Sequence, residues 1–191
     1  MKDKDPAKID AIFKATLQLT AQTGLAGLKM SDIAKQAHIA SGTLYVYFAS
    51  KEALLNALYQ KLKKMTLEAS LSNTQRNDEP YKLRMKRTWK AAFMYRITHA
   101  EEFHFMEQFA NSPYIVEASK AISREYMQNM TAFIEEGKRQ LLLKDIDTRY
   151  LLLAMAGLLR EFALQCAQKL LPINDILIEE SFAICWDAIK A

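Results

Sequence analysis

The chain has 191 residues, half of them hydrophobic, with only 5 glycines and 4 prolines. That length supports one large domain or two small ones, and the scarcity of glycine and of alternating segments argues against a β-rich fold. The net charge of +4 conceals an asymmetry: residues 1–100 carry 17 Lys and Arg against 8 Asp and Glu, whereas residues 101–191 carry 9 against 14. A polyanionic partner is therefore expected for the front half alone.

Helical patterns follow one another along the chain. Asp5-Pro6 reads as a cap and a first-turn proline, after which Ile9, Ile12, Phe13 and Leu17 recur at helical spacing as far as Gly24. A short helix is expected from Ser31 or Asp32, a tight turn over 38–41 and a second short helix over 42–48. Ser50 should cap a long helix striped by Leu54, Leu55, Leu58 and Leu62. The polar run 72–80 reads as a link. Further helices are expected from Pro80 to about 98, over 101–110, from Pro113 to about 140, from Asp147 to 170, and from Asn174 or Asp175 to the end. The fold class is all-α: a compact three-helix unit over residues 1–50, then a helical bundle over 51–191, about nine helices in all.

The start MKDKDPAK is charged with no apolar run behind it, so no secretory signal is expected. The longest apolar run, Leu151–Leu159, is well short of the roughly 20 residues of a membrane span, and a cytoplasmic protein is expected. Cys166 and Cys185 lack CxxC spacing and read as buried thiols. The unbroken apolarity of 151–159 predicts a helix buried nearly all round. The last helix also has a broad stripe, and one chain of this size buries one such helix more easily than two. A homodimer meeting through paired helices is the expectation, with Leu152, Met155, Leu159, Phe162, Phe182, Trp186 and Ile189 at the interface. A monomeric core around one central helix is the alternative.

Two short helices joined by a four-residue turn make a helix-turn-helix. In 33-IAKQAHIASGTLYVYF-48, Ile33, Ala34, Ala37, Ile39, Leu44 and Phe48 can close one small core, with Leu44 and Phe48 sharing a face at i and i+4. Ser41, Gly42, Thr43, Tyr45, Val46 and Tyr47 are left around the exposed end and sides. Such residues suit a DNA groove: Gly42 for close backbone approach, the Thr43 methyl for a thymine methyl, tyrosine hydroxyls for phosphates. Lys51, at a helix start, reads as a phosphate clamp.

The segment resembles the DNA-binding domain of the TetR family of bacterial transcriptional regulators. Met30, Ile33, Ala34, Ala37, Gly42, Thr43, Leu44, Tyr45, Tyr47, Phe48, Ser50, Lys51, Glu52 and Leu54 stand where that signature has them. The chain departs from it in three places. Lys29 replaces a capping Thr, His38 replaces the turn Gly, and Ala40 replaces a capping Ser, so capping is expected to pass to Ser31 and Ser41. The resemblance implies DNA contacts from Lys29, Ser31, Ser41, Gly42, Thr43, Tyr45, Tyr47 and Lys51. It also implies a near-palindromic double-stranded operator read by a dimer, with half-sites roughly 34–36 Å or a multiple apart.

The resemblance further implies a small-molecule effector in the second domain. Trp89, Phe93, Met94, Phe103, Met106, Phe109, Tyr126, Met130 and Phe133 are the candidate lining, and an apolar or amphipathic effector suits them. His99, His104, Arg160 and Glu161 are polar residues that could orient it. The basic flank at 82–90 reads as solvated surface. Control by a protein partner is the alternative to a small molecule. No catalytic residue, cofactor or metal is expected: His38, His99 and His104 are too few and poorly spaced, and no nucleotide or hydrolase motif appears.

Overall fold

The structure, a computed structural model, describes residues 5–75 and 78–191, so the first residues and the middle of the polar link at 72–80 lie outside it. Among the described residues there are nine helices. They are α1 (Pro6–Gly27), α2 (Met30–Gln36), α3 (Ser41–Tyr47), α4 (Lys51–Thr74), α5 (Tyr81–Thr98), α6 (Ala100–Ala110), α7 (Glu117–Arg139), α8 (Thr148–Ala167) and α9 (Asp175–Ile189). The remaining β feature among them is an isolated antiparallel bridge between Leu143 and Lys190.

The helix boundaries follow capping chemistry. Asp5 accepts from Ala7 N, Asp147 from Arg149 N and Asn174 from Leu177 N, each satisfying a first-turn donor. Ser50 Oγ accepts from Ala53 N at 3.1 Å. α1 is kinked at Gly24, where φ is +67°, so the regular helix ends where the sequence indicated. The start of α7 differs from expectation. Pro113–Val116 stay outside the helix because Asn56 of α4 claims their backbone: its Nδ2 donates to Tyr114 O at 2.8 Å and its Oδ1 accepts from Val116 N at 3.1 Å.

The chain folds as two compact units: Met1–Lys64 with Glu101–Ile122, and Met65–Ala100 with Ser123–Ala191. Residues 51–64 of α4 belong to the first of these units. In the first unit Leu54, Leu55, Leu58 and Tyr59 of α4 bury against the α1–α3 core, with Ile12, Ile33 and Leu44 fully enclosed. Each such side chain contributes roughly 1.5–3 kcal/mol. Phe105, Met106 and Phe109 of α6 complete this core, and Phe103 packs against it. Phe103, Met106 and Phe109 therefore do not belong with the expected effector lining.

In the second unit α8 packs on α5 and α9. Phe182, Trp186 and Ile189 lie inside the core with Tyr81, Met85, Trp89, Phe133 and Ile134. These α9 residues are enclosed by their own chain and are not available to a partner, which corrects the expected interface. Phe93, Cys166 and Ile178 form a smaller cluster, against which Met94 and Phe162 pack. Cys185 is fully buried and its thiol is pushed up to about 12 by burial. Arg84, expected on a solvated flank, is also buried. It pairs with Glu136 through both terminal nitrogens and donates to the Thr74 carbonyl at the end of α4.

The expectation of an all-round buried α8 is overturned. Leu151, Ala163 and Cys166 are buried, yet Leu153 is 69% and Leu164 45% exposed. On α9, Ile176 is 67% and Ile184 52% exposed. An 18-residue stretch of α8 is apolar enough by length and composition to span a membrane, with a mean hydropathy of 1.3, a property that core helices of soluble proteins share.

Candidate nucleic-acid interface and apolar cavity

α2 and α3 divide by face. Met30, Ile33, Ala34, Ala37 and Leu44 are buried, and the Phe48 ring lies 5.7 Å from that of Phe13. The turn between them works without its usual glycine because His38 takes a left-handed φ of +55°, which histidine tolerates better than most residues. Capping does not pass to serine. Lys29 and Ala40 occupy the N-cap positions with no side-chain cap, leaving Ser31 and Ser41 in the first turns.

The outward face is made of Lys29, Ser31, Ser41, Gly42 and Tyr45, all exposed, with Thr43 half-buried beside them. Around Gly42 a Cβ would meet nothing within 4 Å, so glycine is not imposed there by the chain's own packing. Val46, 72% exposed, belongs to the same face. Helical spacing had already left it on the exposed side, without assigning it a contact of its own.

The other two expected contacts are engaged within the chain. The Tyr47 hydroxyl accepts from Asp5 N at 3.1 Å. Lys51 Nζ donates to Leu25 O and Leu28 O, both at 2.9 Å, and sits 5.5 Å from the centre of the Tyr114 ring. Carbonyls at a helix end attract cations, so the ammonium that was expected to meet a phosphate holds the end of α1.

The second unit contains an apolar cavity of about 150 Å³ between α5, α7 and α8. Of the candidate lining residues, Trp89, Tyr126 and Met130 are in its walls, together with Thr88, Ala92, Met127, Leu152, Met155, Ala156 and Leu159. Phe93, Met94 and Phe133 pack in the same unit's core, in clusters that also include wall residues, but are not among the lining. Leu152, Met155, Ala156 and Leu159 follow the i, i+3, i+4, i+7 stripe of α8, so three residues expected at a dimer interface face this cavity instead. The lining polar groups include Trp89 Nε1, which donates to Ser181 Oγ at 3.1 Å, and Thr88 Oγ1, which donates to Arg84 O at 3.0 Å. Burial raises the Tyr126 phenol, while Arg96 pulls the other way. The basic flank of α5 is paired: Lys86 with Glu179 at 2.5 Å, Lys90 with Asp175 at 2.8 Å, and Lys82 lies over the Trp186 ring at 5.0 Å.

Comparison with known proteins agrees with this architecture. Residues 12–58 match the model of the bacterial regulatory proteins, tetR family, and residues 80–190 match that of the tetracyclin repressor-like C-terminal domain. An HTH-type transcriptional regulator of Haemophilus influenzae, itself uncharacterized, is 37% identical over 83 residues, 42% of this chain and 44% of that protein. The chain thus matches less than half the length of such curated relatives. The crystal structure of a TetR family transcription regulator from Marinobacter aquaeolei VT8 superposes with a TM-score of 0.88 at 26% identity, covering 100% of this chain and 99% of that one. FadR from Bacillus subtilis, solved in complex with stearoyl-CoA, has a TM-score of 0.71 at 19% identity, over 92% and 95% of the two chains, a likeness of fold. With both of its parts matched and a helix-turn-helix at its front, the chain belongs to the TetR family of bacterial DNA-binding transcriptional regulators.

Proposed function

We propose that the protein is a cytoplasmic repressor that binds a near-palindromic operator as a homodimer and leaves it when a small effector enters the second unit. The observation that carries this reading is the face of α2 and α3. Their apolar residues are buried, while Lys29, Ser31, Ser41, Gly42 and Tyr45 stand exposed together. A short helix so divided offers base-edge and phosphate contacts from one side and is anchored from the other. The bare apolar residues Leu153, Leu164, Ile176 and Ile184 support a second copy packing on α8 and α9. The apolar cavity supports an effector bound beside the same α8.

Selection of binding sequences from a random DNA pool tests the proposal. Enrichment of an inverted repeat whose half-sites lie about one helical turn, or a multiple, apart is expected. Enrichment of an unrepeated site, or of none, would contradict it.

A further inference from the structure

The cavity itself narrows the effector class, an inference that rests on the proposed effector reading. We infer that it takes an uncharged, compact aromatic molecule about the size of a single ring, not a long-chain acyl thioester. Its volume of about 150 Å³, in a cavity partly open to solvent, lies below the roughly 300–1,000 Å³ of drug-sized ligand sites and is similar to that of an enclosed apolar cavity that holds one benzene ring. A long acyl chain is several times larger.

The chemistry of the walls agrees with the size. Trp89 and Tyr126 offer aromatic surfaces, and Met127, Met130 and Met155 offer polarizable side chains that adapt to ring edges. No charged side chain is among the lining residues. The α5 cations that could have met an anionic head are held by Glu136, Glu179 and Asp175. Arg96 acts on Tyr126 but is not part of the lining. A carboxylate placed inside would meet no cation in the walls, with Arg96 acting on it only from outside the lining, so an uncharged ligand is favoured.

Thermal denaturation of the full chain with toluene, benzoate or palmitoyl-CoA tests the assignment. Toluene at about ten times its Kd should raise the midpoint by roughly 3–6 °C, and the other two should not. Ala92→Leu, which fills the cavity, should abolish the toluene shift. Met155→Ala, which enlarges it, should transfer preference to naphthalene; this second variant carries the test if the first fails to fold. A benzoate or palmitoyl-CoA shift equal to that of toluene, no toluene shift, or a toluene shift unchanged in both variants would overturn the inference. Release of operator DNA separates the two claims. Toluene binding without release keeps the ligand class and removes the effector reading. Release by palmitoyl-CoA without toluene binding does the reverse.

Discussion

Lys51 holds two carbonyls at the end of α1 with one ammonium, a use of charge that ties α4 to the helix before the motif. Hydrogen bonds to charged groups are worth about 1.5–3 kcal/mol each when well formed, and partial exposure reduces this. Lys51→Met should therefore lower unfolding free energy in urea by about 1–3 kcal/mol. Below the unfolding range it should leave the salt dependence of DNA binding unchanged, because no phosphate contact is lost. A slope reduced by about one would show instead that Lys51 meets a phosphate. Gly42→Ala should behave oppositely. The site is open, so alanine should leave stability equal or better by about 0.5 kcal/mol, while the added methyl weakens DNA binding by obstructing close approach. Equal affinity for the alanine variant would remove Gly42 from the interface.

Among the elements, α8 carries two sides of the proposed function. One stripe, Leu152, Met155, Ala156 and Leu159, walls the cavity, and the other, with Leu153 and Leu164, is bare. Leu153→Asp should convert the proposed dimer to a monomer in sedimentation equilibrium with little loss of fold. A dimer that persists would place the contact elsewhere. Phe182→Ala, by contrast, removes a core side chain and should cost about 3–5 kcal/mol in thermal or urea unfolding. This division was only partly legible beforehand. Helical period, caps and punctuation identify α8 and α9 as strongly apolar, but an apolar stripe broad enough for two partners does not say which part the chain covers itself. The small residues Thr88, Ala92 and Ala156 are the trace the cavity leaves in sequence. Phe103, Met106 and Phe109 looked like cavity lining because aromatic density is the same in a filled core. The helix-turn-helix was readable almost residue by residue because its faces alternate over a few positions with distinct side-chain chemistry. The partners of Lys51 and Asn56 were not, since they are backbone carbonyls and amides distant in the chain.

At the scale of the whole molecule, the basic front half and acidic rear half find separate explanations. Much of the rear acidity is spent within the chain: Glu136, Glu179 and Asp175 neutralise Arg84, Lys86 and Lys90. The front unit leaves Lys29 exposed at the motif, where a cation strengthens attraction to phosphates at low salt and counterion release makes affinity fall as salt rises. The exposed face of α2 and α3 is the proposed surface that reads DNA. Fluorescence anisotropy with a selected operator, at two salt concentrations, tests it most directly on Tyr45→Ala and Lys29→Ala, two exposed positions whose loss should leave the unfolding midpoint in place. Affinity should fall about tenfold or more in each, with the salt slope also reduced by about 0.9 for each Lys29 removed. Wild-type affinity and slope in both variants would contradict it.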